Sequence, residues 1–305
     1  MGARSWSLAS DGAIPPSSVA GSFYPVEPAV LGEMVEELLG RADRLAPAAE
    51  PVGGRVLGLL VPHAGLVYSG MVAAAGWRLL GMLPRDPTPT VVVLGTNHGA
   101  AWLDGVAAWE AGAWRTPIGD IAIDADLAAA ILELGPPFVV DRAAHIGEHS
   151  IEVQLPLLQT VRPGAAIVPL SVATGTDEDA IGAGARLGGL LRRRCAEGAS
   201  IVLAISSDMA HYPPDAVCAQ VTIDLLGPIA RLDPGGLATA ERDVVRAGAP
   251  DLVCGMCGIR PTVLGLAALR ALGATRGSRL ASATSADAGG STRRTVGYLA
   301  VAFTA

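Results

Sequence analysis

The chain has 305 residues, half of them apolar, enough for one large α/β unit or two ordinary ones; no apolar run approaches the roughly 20 residues a membrane-spanning helix needs. The net charge is −7 and the longest basic tract is Arg192-Arg193-Arg194, which gives nucleic-acid binding no support. The lack of any lysine excludes Schiff-base and Walker-lysine chemistry, and four cysteines in a chain this size do not make a disulfide framework.

The opening "MGARSWSLASDGAIPPSSVAG" has no continuous apolar core of a secretory signal, so a cytoplasmic location is expected. Met1–Ser18 reads as a loosely ordered leader. From Val19 onward, short β-rich runs alternate with longer helical patterns. The expected helices are Ala29–Ala42, Ser69–Leu83, Ala125–Leu134, His149–Val161, Glu178–Arg193, Ala216–Ala230, Gly236–Ala247 and Arg260–Leu272. In the second of these, Val72, Ala75, Leu79, Leu80 and Leu83 recur at helical spacing. The expected strands are Arg55–Val61, Thr90–Gly95, Gly105–Trp109, Ala166–Val172, Ser200–Ser206, Ser278–Thr284 and Thr295–Phe303. "RVLGLLV", "TVVVLG" and "SIVLAIS" are apolar throughout, as central strands covered on both faces are. No Pro/Gly/Ser linker divides the chain. Residues 19–305 therefore read as one α/β domain, a mixed or mostly parallel central sheet flanked by helices.

Each of those three apolar strands empties into a signature containing histidine. These are Pro62-His63-Ala64-Gly65, Gly95-Thr96-Asn97-His98-Gly99 and Ser206-Ser207-Asp208-Met209-Ala210-His211. In open α/β sheets, functional groups gather outside the carboxyl ends of the strands, so His63, His98 and His211 can meet in one crevice. Imidazole there suits zinc, copper, iron or nickel. Asp208, three residues before His211, is placed to orient its imidazole.

The remaining two histidines stand in "HIGEHSIEVQLP", where His145, Glu148 and His149 match H-x-x-E-H. On a continuous helix this spacing would make a zinc peptidase with Glu148 as base. Gly147 inside the turn argues instead for a loop running into a helix start, with Ser150 as a candidate cap. Cys254 and Cys257 form "CGMC", which lacks a redox-motif context and a second cysteine pair for zinc.

Taken together, "VAGSFYP", "VPHAGLVYSG", "LGTNHG", "RTPIGDIAID", "EHSIEVQLPLLQ", "ISSDMAHY" and "CGIRP" resemble the Memo-like family, in collinear order from about Val19 to Phe303. Its bacterial and archaeal members are called AmmeMemoRadiSam system protein B. The resemblance implies a fold like that of class III extradiol dioxygenases, with a metal crevice at the strand ends. It also implies that His63, His98 and Cys257 ligate iron or copper, with His149, Asp208 and His211 at the remaining pocket positions. AMMECR-type and radical SAM proteins are the partners that the family's name suggests. Ring-cleaving relatives use two histidines and a carboxylate; a thiolate at the third position is softer and itself oxidisable, which puts ring cleavage in doubt.

The reading that results is a redox-metal protein supporting an oxygen-linked oxidation on a small-molecule or peptide ligand. His211 would serve as acid/base, with catalytic places also for Asp208 and His149. A non-catalytic binding module using the same pocket is the alternative, and a zinc peptidase the third.

Overall fold

The computed structural model describes residues 17–45, 53–84 and 87–305. The leader expected over Met1–Ser18 lies outside these apart from Ser17 and Ser18, both of which are hydrogen bonded, Ser17 Oγ to the Arg115 carbonyl and Ser18 N to Glu152.

In chain order the elements are α1 (Pro28–Leu45), β1 (Val56–Val61), α2 (Leu66–Gly81), β2 (Thr90–Thr96), β3 (Gly105–Ala108), β4 (Ala113–Thr116) and β5 (Gly119–Ala122). There follow α3 (Ala125–Leu132), β6 (Phe138–Val140), α4 (His149–Glu152), α5 (Leu155–Val161), β7 (Ala166–Ala173), α6 (Asp177–Ala196) and β8 (Ile201–Ser206). The chain closes with α7 (Asp215–Ala230), α8 (Pro234–Arg246), α9 (Ile259–Leu272), β9 (Arg276–Thr284) and β10 (Gly297–Thr304).

Eight strands form one mixed sheet in the order β6-β3-β7-β2-β8-β1-β10-β9, and β4 pairs with β5 in a separate hairpin. The centre is parallel: β7, β2, β8 and β1 run side by side in the same direction. β3 runs antiparallel to β7, and β10 antiparallel to β1 and β9. Burial on both faces explains the uninterrupted Val, Leu and Ile of the central strands. One face packs against α1, α2 and α5, with Leu31, Val35, Trp77, Leu80 and Leu158 fully enclosed. The other packs against α3 and α6–α9 through residues such as Leu187, Leu191, Leu225 and Leu264. No helix among the described residues is long and apolar enough to cross a membrane.

On that second face α6 and α9 meet backbone to backbone. A Cβ built on Gly188 would lie 2.1 Å from the Ala268 carbonyl oxygen, and one on Gly184 2.2 Å from that of Leu264. Gly188→Ala must therefore push the helices apart. Overpacking of this kind typically costs about 1–3 kcal/mol. Chemical denaturation should show a lower midpoint for Gly188→Ala and little change for Gly182→Ala, which faces open space.

The helix expected over His149–Val161 is two short ones. Pro156 has no N–H to donate to the Glu152 carbonyl, so the first turn ends there and a new helix starts with proline near its N-terminus. The cap is Glu148, whose side chain accepts from Ser150 N; Ser150 itself turns its hydroxyl to the Thr96 carbonyl. The β4–β5 hairpin and the three-residue β6 went unanticipated. "RTPIGD" contains proline and charge where a strand pattern needs alternation, and β6 is too short to show a period.

Candidate metal centre

β1, β8 and β2 are adjacent and parallel, so their carboxyl ends deliver Pro62-His63, Ser206-Asp208 and Thr96-His98 to one edge. α4 brings His149 to the same place, because Gly95 lets the helix approach β2. A Cβ at Gly95 would sit 2.4 Å from Ile151 Cγ1. His63, His98 and His149 each offer one ring nitrogen, and the three lie within 4.8 Å of one another, a group that could hold a metal ion. Their ring centroids are 5.3, 5.2 and 4.5 Å apart for the pairs 63–98, 63–149 and 98–149.

Hydrogen bonding fixes which nitrogen is free. Ser206 has one hydroxyl proton, donated to the Ser150 carbonyl at 2.6 Å. The Gln154 amide is set by Trp77, whose ring N–H donates to Oε1, so Gln154 Nε2 must donate to Ser206 Oγ. Ser206 can then only accept from His63 Nδ1, 3.0 Å away, and His63 carries its proton there with the Nε2 lone pair free. His98 Nδ1 faces a Glu148 carboxylate oxygen at 2.9 Å and is likewise the donor. Carboxylate-held imidazoles of this kind are the usual support for metal-ligating nitrogen.

Burial alone would raise the Glu148 carboxyl, but the bonds and charge of His98 and the N–H groups of Ser150 and His98 hold it at about 2. It is anionic across the physiological range. Burial, with the neighbouring imidazoles, pushes His63 well below its ordinary value and His149 down to about 4. Both are neutral at pH 7, with lone pairs available. The side chains of His98 and His149 are 34% and 22% exposed, whereas His63 is enclosed, so the site opens to solvent on the His98–His149 side.

Cys257 is carried in by the loop before α9. Its Sγ is 3.1 Å from His63 Nε2, and Gly258 lets this loop lie against Ser207, where a Cβ would come within 2.5 Å of the serine Cβ. Burial, then the Asp208 charge, pushes the thiol well above its ordinary value, so without a metal it is protonated and hydrogen bonds to His63. Cys254 contributes its backbone, accepting from His211 N.

Asp208 does not orient His211. Residues 207–210 form no helical turn, so a spacing of three does not bring the two side chains together. The Asp208 carboxylate turns inward and accepts from the backbone N–H groups of His63, at 2.7 Å, and Ala64, at 3.2 Å. It pins the turn that presents His63, and burial pushes its carboxyl up to about 7. The His211 ring is held instead by the Met209 carbonyl, 2.8 Å from Nδ1, which leaves Nε2 free. It stands near enough that its charge opposes protonation of both His63 and His149.

His145 is outside the group. Gly147 at φ +77° breaks the turn between it and His149, and the His145 ring lies between Trp109 and Trp114 with Nε2 against the Ala107 carbonyl. The H-x-x-E-H spacing therefore makes no two-histidine zinc face, and the peptidase reading fails on geometry. His145→Ala should keep its full metal content, measured by mass spectrometry, while losing stability to the hole left beside two tryptophans. Loss of metal in that variant would contradict this placement.

Sequence reasoning passed over Ser206, Gln154 and the supporting role of Glu148. All three stand inside the quoted motif strings, but nothing in a string shows which imidazole each will touch.

A family model described as Memo-like protein matches residues 16–302. A MEMO1 family protein of Methanopyrus kandleri is 35% identical over 296 residues, covering 94% of this chain and 97% of that one. One from Methanothermobacter thermautotrophicus is 33% identical over 285 residues, covering 92% and 97%. One from Aquifex aeolicus is 33% identical over 289 residues, covering 94% and 97%. With a family match over residues 16–302 and relatives at 33–35% identity aligned over nearly all of both chains, the chain belongs to the Memo-like family.

Proposed function

We propose that the protein binds one redox-active metal, iron or copper, through His63 and His98 with His149 and Cys257 as further donors, and supports an oxygen-linked oxidation in this crevice. The observation that carries the reading is the tautomer arrangement: His63 and His98 both carry the ring proton on Nδ1 and leave Nε2 unprotonated, beside a third imidazole and a thiol. Donors on a metal at about 2.0–2.3 Å lie roughly 3–4 Å apart, which fits the 3.1 Å between Cys257 Sγ and His63 Nε2. A mixed imidazole and sulfur set favours copper or iron over hard cations. Bound there, either metal would supply the electron exchange with oxygen that no side chain in the crevice offers.

The chain's own residues do the remaining work. Glu148 and Ser206 hold two rings in their ligating tautomers, and Asp208 fixes the turn that carries the first. Burial lowers the His211 value, so His211 is neutral at pH 7 and its free Nε2 is a base for an acidic hydrogen on the ligand. The exposed side at His98 and His149 leaves room for that ligand.

Elemental analysis and electron paramagnetic resonance of protein purified without oxygen test the proposal. Stoichiometric iron or copper is the expected result; zinc alone, or no transition metal, overturns it. Metal without oxygen consumption under any reductant would favour a binding module for a small molecule, a peptide or a partner of the AMMECR or radical SAM type.

A further inference from the structure

Two aromatic rings touch the site imidazoles from outside. Phe23 lies against His149, ring centroids 4.5 Å apart, and Tyr212 stands edge-on to His211 at 5.5 Å. Tyr212 is the stranger placement. Its φ is +74°, a left-handed conformation that a bulky side chain adopts only when its surroundings enforce it. They do so here from two sides. Tyr212 N donates to the Thr295 carbonyl at 2.6 Å, Thr295 N and Oγ1 both donate to the Pro213 carbonyl, and His211 pairs with Cys254. An extended Tyr212 would turn its ring away from His211.

The same clamp positions a cation. Arg294, next to the buried Thr295, lays its guanidinium over the Tyr212 ring at 4.1 Å. It is exposed and has no carboxylate partner among the described residues. A guanidinium held over an aromatic ring retains N–H donors that the ring does not use, and a guanidinium can meet a planar carboxylate in a two-bond fork. The anionic groups of the site itself do not compete, because Glu148 and Asp208 are both buried and turned to imidazole or backbone N–H groups.

The geometry points to Arg294 as the residue that binds the charged end of the ligand, and to an organic carboxylate with an apolar body as the ligand class, its body lying between Phe23 and Tyr212. This deepens the proposed function and rests on its reading of the crevice as a ligand site. Tyr212 acts as a positioning residue, holding the guanidinium over its ring beside His211.

Calorimetric titration tests it with matched probes: benzoate against benzamide, phenylacetate against phenylacetamide, and N-acetylphenylalanine against its amide. Phenyl phosphate reports whether a phosphate serves instead. The wild-type protein should bind at least one carboxylate about ten- to a hundredfold more tightly than its amide, the range expected of charge-assisted bonds. Arg294→Ala should abolish that preference with metal content and melting temperature unchanged, Arg294→Lys should restore part of it, and Tyr212→Leu should weaken it. If no pair shows a preference, if the preference survives in Arg294→Ala, or if phenyl phosphate outbinds every carboxylate, the inference is overturned. Metal content is measured on the same samples. Metal uptake without carboxylate preference sinks this inference alone, and carboxylate preference without metal sinks the redox reading alone.

Discussion

His211→Ala should keep near-wild-type metal content and lose turnover, whereas His63→Ala and His98→Ala should lose both together. The three residues look alike in sequence, each a histidine at the end of a buried strand. They differ in what their free nitrogens face. His63 and His98 belong to the group that closes to within 4.8 Å; His211 stands beside it and is fixed by a backbone carbonyl. General acid–base help is typically worth about 10²–10⁴-fold, so oxygen consumption by His211→Ala should fall by that order. The check is metal by mass spectrometry beside oxygen uptake by the loaded protein. Equal metal loss in His211→Ala and His98→Ala would make His211 a ligand. Full occupancy in His63→Ala would remove the site as described.

The second large effect is on stability. Glu152 is buried and collects three donors from the segment before α1: Ser18 N at 2.9 Å, Val19 N at 3.0 Å and Tyr24 Oη at 2.6 Å. Burial, with the Glu152 charge, raises the Tyr24 hydroxyl far above its ordinary value, so it remains a donor throughout the accessible pH range. This carboxylate staples "VAGSFYP" to the helix that carries His149. Glu152→Ala strands the buried Tyr24 hydroxyl and Val19 N–H, at about 1–3 kcal/mol for each group left unsatisfied, while the N–H of the exposed Ser18 can turn to water. A loss of about 3–5 kcal/mol in urea denaturation is expected, the range for breaking a buried charged network, with Glu152→Gln milder because it keeps one acceptor. Freed from the staple, Phe23 should leave His149, and proteolysis near residue 20 should rise sharply. A Glu152→Ala protein as stable and as protease-resistant as the wild type would show that the staple contributes nothing.

These two cases mark where sequence stops. Unbroken apolar runs placed the central sheet, because β1, β2 and β8 are buried on both faces. Strand ends also located the crevice, since parallel neighbours deposit their following residues at one edge. His63, His98 and His211 were therefore legible as one neighbourhood, and Cys257 through the family resemblance.

Roles within the neighbourhood were another matter. Spacing of three suggested that Asp208 serves His211, yet residues 207–210 make no helical turn and the carboxylate goes to the turn at His63. Spacing of four suggested that His145 and His149 share a face, yet Gly147 in a left-handed conformation parts them. Local spacing predicts contact only where the secondary structure that gives the spacing its meaning is present. Glu148 against His98, Ser206 against His63, Glu152 against Tyr24 and Arg294 against Tyr212 join residues 50 or more apart. Such contacts follow from how the sheet orders its strands and from the loops that close over their ends. The apolar strands and the histidines that end them are written in the order of the residues; which side chain holds which ring follows only from the folded arrangement, because hydrogen-bond partners are chosen by distance in space and not along the chain.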